Sequence, residues 1–218
     1  MHGAPRYLGE RLFFGENLME QTEAGFLALP DNPDQDPTLN WREVFDNDQP
    51  VEVEIGIGKG RFIIDAAGRQ PAVNFVGVEW AVKYLRIARQ RAVRRNLVNV
   101  RFAHMDAREF VEFFVAAASV RAYHIYFPDP WPKKRHHKRR LFNEAFLREV
   151  ERTLCVGGQL WLATDYADYF DVMLAALETS SCLVGVDVEW LGARTNYEDK
   201  FLAQGKPIYR RVMEKTSA

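Results

Sequence analysis

A segment in the first third of the chain combines a carboxylate with three closely spaced glycines. It follows an apolar run and reads Glu54-Ile55-Gly56-Ile57-Gly58-Lys59-Gly60. Glycines let a backbone turn sharply and approach a ligand closely at the start of a helix. A dinucleotide-binding loop would have a glycine or alanine where this chain has Arg61. The loop also lacks a Walker-type Gly-Lys-Ser/Thr sequence, so we expect neither a pyrophosphate nor a nucleoside triphosphate there.

Two further carboxylates, Glu79 and Asp106, follow the next two predicted strands. A glycine loop alone is compatible with a simple tight turn, but three acidic residues at successive strand ends favour a ligand site. The spacing of Gly56, Gly58 and Gly60 after Glu54 resembles motif I of the class I methyltransferases. In that family the loop wraps the cationic methionine end of S-adenosylmethionine, which a carboxylate suits. The resemblance implies that Glu79 accepts the ribose hydroxyls and that Asp106 meets the adenine.

A proline-rich segment with a basic tail follows the fourth predicted strand. Prolines on both sides of Asp129 stiffen the backbone, so this carboxylate and Trp131 are presented rigidly at the cofactor edge. Six lysines and arginines lie among the eight residues 133–140. A charge run is often only a solvated helix start, but cations at a helix N-terminus oppose the macrodipole. An RNA phosphate backbone would offset that cost.

The stretch from Phe127 to Arg140 resembles the signature of the tRNA (guanine-N7-)-methyltransferase family. Two more segments match it, Ala163-Thr164-Asp165-Tyr166 and Thr195-Asn196-Tyr197-Glu198. The resemblance covers about Val51 to Met213 and implies methyl transfer from S-adenosylmethionine to a guanine of the tRNA variable loop. It implies that Asp129 is catalytic and contacts the cofactor. It also implies that the RNA is held by Lys133, Asp165, Thr195, Asn196, Tyr197 and Glu198.

Guanine N7 carries an in-plane lone pair and no proton, so direct displacement at a sulfonium methyl group needs no general base. We therefore expect Asp129 to orient the guanine through its N1–H and N2 amine and to stabilise the developing positive charge. Asp165 could share that task. The base must be unstacked to react, and Trp131 or Tyr166 could stack on it. A buried packing role for Trp131 is equally compatible with the sequence.

Two other functions remain open at this point. Asp129-Pro130-Trp131 is similar to the Asp-Pro-Pro-aromatic motif of enzymes that methylate adenine N6 or guanine N2, although the second proline is missing. The second alternative is a non-catalytic RNA-binding module with a vestigial pocket. His136 and His137 have no carboxylate or cysteine at ligand spacing, so we expect no metal site.

From Val51 onward, apolar runs alternate with helical segments. The predicted strands are Val51–Ile55, Asn74–Glu79, Val98–His104, Tyr123–Phe127, Gln159–Ala163, Leu183–Trp190 and Ile208–Met213. The predicted helices are Arg61–Arg69, Ala81–Arg95, Ala107–Ala118, Arg139–Leu154 and Tyr166–Glu178. The pattern predicts an α/β fold that is Rossmann-like and doubly wound, with helices on both faces. The sheet would be mostly parallel and seven-stranded, with an antiparallel edge hairpin.

The net charge of −1 hides an asymmetry along the chain. Residues 1–50 carry 3 lysines and arginines against 10 aspartates and glutamates, whereas the rest carries 26 against 20. We interpret 1–50 as an acidic, proline-rich arm or linker in which Phe13, Phe14, Leu18 and Phe26 dock on the body. Residues 51–218 then form the methyltransferase domain. A basic body suits a polyanionic partner such as tRNA, although acidic loops also serve solubility.

The remaining expectations concern location and assembly. No apolar run reaches the length of a membrane span and no secretory signal is recognisable, so we expect no membrane partner. Two cysteines are too few for a disulfide framework and fit a reducing cytoplasm. The sequence leaves open whether the chain is a monomer or a homodimer.

Overall fold

The computed structural model describes residues 25–27, 37–189 and 195–217. In chain order its helices are α1 (Trp41–Phe45), α2 (Arg61–Arg69), α3 (Val82–Arg94), α4 (Ala107–Glu109), α5 (Glu144–Thr153), α6 (Ala167–Leu177) and α7 (Asn196–Ala203). Its strands are β1 (Val51–Ile55), β2 (Asn74–Val78), β3 (Val100–Ala103), β4 (Val120–Tyr126), β5 (Leu154–Thr164), β6 (Leu183–Gly185) and β7 (Tyr209–Lys215). A π-helical turn, Phe110–Phe114, continues α4, and a 3-10 segment, Lys134–Arg139, precedes α5.

The strands form one seven-stranded sheet in the order β3-β2-β1-β4-β5-β7-β6. The first five strands in this order are parallel, and β7 runs antiparallel to both β5 and β6. The predicted fold class is confirmed. Because β1 pairs with β2 on one side and β4 on the other, the loops after these three strands meet at one carboxyl edge.

Two hydrophobic clusters cover the two faces of the sheet. Val51, Val53 and Ile55 belong to the cluster beneath α5 and α6, whereas the cluster beneath α2 and α3 contains Phe62 and Leu85. Successive strand residues point to opposite faces. The side chains of β1 that alternate with its valines are therefore directed toward α2, into a covered layer rather than into water.

Several predicted element boundaries are wrong. The helix predicted from Arg139 begins at Glu144, where the Asn143 side chain accepts a hydrogen bond from the Phe146 N–H at 3.0 Å. The preceding cations form the 3-10 segment instead, because no side chain caps it and cations disfavour a helix N-terminus. The helix predicted over Ala107–Ala118 changes to π-helical geometry after Glu109. The fifth strand starts five residues earlier than predicted, and the sixth ends at Gly185.

Part of the segment before β1 joins the body. Leu39 and Phe45 are buried in the core cluster beneath α5 and α6. Phe26 bridges Phe102 of β3 in parallel orientation, and the Leu27 N–H donates to the Phe102 carbonyl at 2.9 Å. Phe13, Phe14 and Leu18, also expected to dock, lie outside the described residues.

Candidate active site

The glycine loop after β1 is folded back onto the end of β2. The Gly56 N–H donates to the Val78 carbonyl at 2.8 Å, and the Gly60 N–H donates to the Ile57 carbonyl at 2.8 Å. Gly60 has φ +71°, and a Cβ there would lie 2.6 Å from the Ala88 Cβ of α3. Any larger residue would push α2 and α3 apart. The third glycine of the motif therefore packs two helices together at the point where the loop enters α2.

Glu79 ties this loop to the start of α3. One carboxylate oxygen accepts from the Gly58 N–H at 2.9 Å and the other accepts from the Ala81 N–H at 2.7 Å. The side chain is half-buried and lies just beyond the end of β2. Glu79 is thus fixed at the rim of the sheet, where a carboxylate can reach a ribose hydroxyl.

Glu54 is the most unusual side chain of the site. It is 4% exposed on β1, and its Oε2 atom is buried without a hydrogen-bond partner. Burial raises the pKa of Glu54 well above its ordinary value, and the charge of Glu79 raises it further, whereas a hydrogen bond from the Ile63 backbone acts in the opposite direction. A buried carboxylate without a cation is costly. The ammonium and sulfonium of S-adenosylmethionine would supply the missing positive charge, so the residues present fit that group.

The third predicted cofactor carboxylate has a local structural role. Asp106 caps α4, because its side chain accepts a hydrogen bond from the Arg108 N–H at 2.8 Å. It is half-buried and follows β3, next to β2 in the sheet. Asp106 therefore lies on the same carboxyl edge as Glu54 and Glu79, with its orientation fixed by the helix that it caps.

Asp129 is exposed at the end of a kinked segment after β4. Phe127 and Trp131 both have positive φ, +52° and +43°, so the backbone turns sharply on each side of the two prolines. The Phe127 N–H is anchored to the Ala163 carbonyl of β5 at 2.7 Å. Within the described residues the Asp129 carboxylate makes no hydrogen bond or ion pair. It is rigidly placed and chemically available.

Arg140 holds the basic tail against the body. Its guanidinium donates to the Pro130 carbonyl at 2.8 Å and lies 4.8 Å from the Tyr169 ring centre, and Arg140 is only 5% exposed. Arg108 donates to the Arg140 carbonyl at 2.6 Å. The other cations of this stretch are exposed, namely Lys133, Lys134, Arg135, Lys138 and Arg139. One cation of the run thus builds the structure and five face solvent.

The two rings that were expected to stack on the base, Trp131 and Tyr166, both have neighbours within the protein. Trp131 is half-buried, with the Arg139 guanidinium 4.9 Å from its ring centre and His136 edge-on at 5.7 Å. Tyr166 packs against the core beneath α6. Trp131 therefore organises the basic tail, and both rings have neighbours of their own.

The segment 195–198 combines two anchoring residues with one exposed ring. Thr195 caps α7 by accepting from the Glu198 N–H at 3.0 Å, and Glu198, 4% exposed, is ion-paired with Arg210 of β7. Tyr197 is 49% exposed. The backbone of Asn196 starts α7, and its side chain lies outside the described set. Asp165, also predicted to hold substrate, is ion-paired with Lys206 at 3.2 Å.

An aromatic cluster that the sequence did not reveal joins α7 to the Asp129 segment. The rings of Phe127 and Phe201 are 5.5 Å apart, and Tyr197 lies 6.1 Å from Phe201 in a stacked arrangement. Burial raises the pKa of Tyr197, as do Tyr84 and the charges of Asp129 and Glu79. The Tyr197 ring thus lies close enough to Asp129 and Glu79 for both charges to affect its pKa. The sequence named Phe127 and Tyr197 within two separate motifs but gave no sign that they meet.

A buried polar chain lies beneath the site and was also missed. Glu52 accepts from Arg121, and its other oxygen lies 2.9 Å from His124 Nε2. His124 Nδ1 in turn lies 2.8 Å from the Tyr126 hydroxyl. Burial acts to raise the Glu52 pKa, but the hydrogen bonds and charges of His124 and Arg121 outweigh it and hold that pKa below its ordinary value. Glu52 is thus a partnered carboxylate two residues from Glu54, whose Oε2 atom has no partner among the described residues.

Two other features are absent from the described part of the chain. No helix there is long and apolar enough to cross a bilayer. No group of three or more histidine, cysteine, aspartate or glutamate side chains there is arranged to hold a metal ion.

Comparison with known proteins agrees with the geometry of the site. The profile of a family described as a putative methyltransferase matches residues 48–211. The chain is 41% identical over 204 residues to the tRNA (guanine-N(7)-)-methyltransferase of Listeria monocytogenes serotype 4b (strain F2365), covering 90% of this chain and 93% of that protein. It is 40% identical over 177 residues to the protein of the same name from Geobacillus kaustophilus (strain HTA426), covering 78% and 81%.

Solved structures show the same fold at greater distance. The aminoglycoside resistance methyltransferase NpmB1 is similar with a TM-score of 0.56 and 17% sequence identity, over 81% of this chain and 92% of that one. At this identity the likeness concerns the fold alone.

Proposed function

Since this chain belongs to the family of tRNA (guanine-N(7)-)-methyltransferases, we propose that it transfers a methyl group from S-adenosylmethionine to N7 of a guanine in tRNA. The observation that carries the proposal is the buried, unpaired oxygen of Glu54 beneath the glycine loop. A cationic ligand would give this buried oxygen the partner that it lacks in the cofactor-free protein. Together with the rim carboxylates and the exposed Asp129, it supports a cationic methyl donor rather than a dinucleotide.

The chain's own residues would hold the donor at the carboxyl ends of β1, β2 and β3. Glu54 would neutralise its cationic end, and Glu79 would accept its ribose hydroxyls. Asp106 would meet the adenine, while Gly56, Gly58 and Gly60 let the backbone pass close to the ligand. When bound, S-adenosylmethionine supplies an electrophilic methyl group on a positively charged sulfur.

Asp129 would act on the guanine by orientation rather than by removing a proton. N7 has a free lone pair, so no general base is needed, and this fits an exposed carboxylate that accepts hydrogen bonds from N1–H and the N2 amine. Its negative charge would also favour the positive charge that develops on the ring. The same reasoning favours N7 over an exocyclic amine, because an amine must lose a proton during methylation.

Tyr197 would provide the surface on which the unstacked base rests. Its exposed ring continues the Phe201 and Phe127 cluster toward Asp129. Stacking of a base on an aromatic side chain is worth about 1–3 kcal/mol. Four other predicted substrate residues would serve the RNA mainly by holding α7 and the end of β5 in place, namely Thr195, Asn196, Glu198 and Asp165. Lys133 would contact a phosphate of the RNA.

The target would be the guanine of the tRNA variable loop, reached from the exposed 3-10 segment. We further propose that residues 51–218 act as the methyltransferase domain and 1–50 as an acidic arm. The protein would work in the cytoplasm as a monomer or homodimer. Size-exclusion chromatography with light scattering, alone and with tRNA, distinguishes the two assemblies.

The decisive experiment maps the transferred methyl group. Purified protein is incubated with unmodified tRNA transcripts and methyl-labelled S-adenosylmethionine, and the digested nucleosides are identified by mass spectrometry. We expect 7-methylguanosine at one variable-loop position, and loss of most turnover in Asp129→Asn. Label on adenine N6 or guanine N2 would establish the amino-group alternative. Donor binding absent by calorimetry, with tRNA binding intact, would establish the non-catalytic module.

A further inference from the structure

Helix α3 presents to solvent a row of cations without any carboxylate. Its 13 residues include five lysines and arginines and no aspartate or glutamate. The buried face consists of Leu85, Ala88 and Ala92. At 3.6 residues per turn, the exposed cations Lys83, Arg86 and Arg94 lie on the opposite side of the helix.

These three cations differ from their neighbours on the same helix. Arg91 donates to the Lys59 carbonyl of the glycine loop at 2.8 Å, and Arg89 lies 5.4 Å from the Phe26 ring centre. Within residues 25–27, 37–189 and 195–217, by contrast, Lys83, Arg86 and Arg94 form no ion pair with a carboxylate. Lys83 Nζ lies 4.8 Å from the Tyr84 ring centre, but all three side chains remain exposed and unpaired with any described carboxylate.

Helix stability alone does not account for this pattern. A cation in the last turn, such as Arg94, favours the helix through the macrodipole. Lys83 and Arg86 lie in the first half of α3, whose first turn contains no acidic residue, so the macrodipole disfavours them. A surface helix selected only for solubility would normally mix both signs of charge.

The position of α3 connects this row to the site. The helix begins directly beyond Glu79, and the Ala81 N–H at its start donates to the Glu79 carboxylate at 2.7 Å. From there α3 runs back along the sheet for about 20 Å, given 1.5 Å per residue. β2 and β4 flank β1, so α3 and the basic 3-10 segment after β4 start on either side of the strand that carries Glu54.

We propose that the exposed face of α3, defined by Lys83, Arg86 and Arg94, is a second tRNA-binding surface that contacts the phosphodiester backbone outside the methylated loop. This inference rests on the proposed function and adds a separate surface to it. Exposed cations on one side of a helix, free of carboxylates, suit a polyanion that lies along that helix. The surface would contribute affinity and orientation but no chemistry.

The test removes the three charges without disturbing the helix. The triple variant Lys83→Gln, Arg86→Gln and Arg94→Gln keeps long, helix-favouring side chains. Binding of labelled tRNA is measured by fluorescence anisotropy over a series of salt concentrations, and turnover is measured in parallel. Loss of three phosphate contacts should reduce the steepness of log affinity against log salt by about 2–3, at roughly 0.7–0.9 per contact. The KM for tRNA should rise roughly tenfold, with kcat and donor affinity unchanged.

A matched control uses exposed arginines elsewhere on the surface. Arg42 and Arg148 are 73% and 66% exposed, and each is paired only with an exposed carboxylate. Changing both to glutamine should leave the salt slope and the KM as in the wild type.

The possible results separate the two proposals. A triple variant with a wild-type salt slope and KM, in a protein that methylates tRNA, overturns the α3 surface and leaves the proposed function standing. A triple variant that loses donor affinity also overturns it, because α3 would then act through the glycine loop. A wild-type protein that does not bind tRNA at any salt concentration overturns both.

Discussion

Glu54→Gln should move cofactor affinity and protein stability in opposite directions. The change keeps the shape of the side chain and removes its charge. Because Glu54 is buried with an unpaired oxygen, its carboxylate weakens the cofactor-free protein and gains its partner only when a cation binds. The glutamine variant should therefore bind S-adenosylmethionine more weakly and unfold less readily.

The expected magnitudes follow from the burial of the group. Removing one partner of a buried, hydrogen-bonded charge pair costs about 2–5 kcal/mol. At 1.4 kcal/mol per factor of ten, donor affinity should fall by about 30-fold to a few thousand-fold. Relief of an unsatisfied buried acceptor is worth about 1–3 kcal/mol. The gain in the free energy of unfolding should lie near the lower limit, about 1 kcal/mol, because the amide NH₂ also lacks a partner.

The stability gain should depend on pH. Burial raises the Glu54 pKa above its ordinary value of 4.5, so the folded protein binds this proton more tightly than the unfolded chain. The protonated Glu54 side chain therefore contributes to the stability of the folded protein. This contribution is complete below pH 4.5 and is lost as the pH rises through the folded-state pKa. Glutamine does not titrate, so the advantage of the variant over the wild type should be larger at pH 8 than at pH 5.

Two measurements on the cofactor-free protein test this reasoning. Isothermal titration calorimetry with S-adenosylmethionine gives the affinity, and urea unfolding at both pH values gives the stability. Glu52→Gln is the matched control on the same strand, and its donor affinity should stay close to that of the wild type. A Glu54→Gln protein with wild-type donor affinity, or with lower stability at pH 8, would refute the assignment of Glu54 as the cation partner.

Three further substitutions test the buried polar chain, the glycine loop and the aromatic cluster. Glu52→Gln should destabilise the protein by about 2–3 kcal/mol, because it breaks the pairing with Arg121 and His124. Since the Glu52 pKa is lowered in the folded protein, the stability of the wild type should fall as the pH drops below 4.5, and that of the variant should fall less. Unfolding measured between pH 3 and pH 7 tests both expectations. Gly60→Ala should cost at least about 2 kcal/mol through the positive φ and the contact with Ala88, measured as a lower midpoint in urea. Tyr197→Ala should raise the KM for tRNA by about 5- to 150-fold, whereas Tyr197→Phe, which keeps the ring, should retain most of the affinity.

The fold class could be predicted because its signals are local. Apolar runs separated by amphipathic helices specify parallel strands. Because ligands bind at the carboxyl ends of such strands, Glu54, Glu79 and Asp129 could be assigned to that edge of the sheet. Helix ends were less predictable. Both Arg139 and Asn143 precede apolar residues with helical spacing, and only the cap formed by Asn143 distinguishes them.

The buried charges were not predictable from periodicity. The run Val51-Glu52-Val53-Glu54-Ile55 alternates like a strand with one face in water, yet both glutamates lie in the layer beneath α2. Their opposite environments depend on partners far away in sequence. Glu52 meets Arg121, 69 residues later, whereas no described side chain reaches Glu54 Oε2. Such pairings appear only once the strands are in register.

The segment Thr195 to Glu198 shows how a motif can serve a substrate without every residue contacting it. Resemblance implies that the whole segment holds RNA, but the threonine caps α7 and the glutamate is buried against Arg210. Arg61 at the start of α2 also pairs with Asp199, which fastens α7 to the helix that follows the glycine loop. Tyr197 is therefore held by neighbours that connect it both to the edge strand β7 and to the cofactor loop. A substitution that frees Glu198 should displace the Tyr197 ring and weaken tRNA binding, even though Glu198 itself is shielded from solvent.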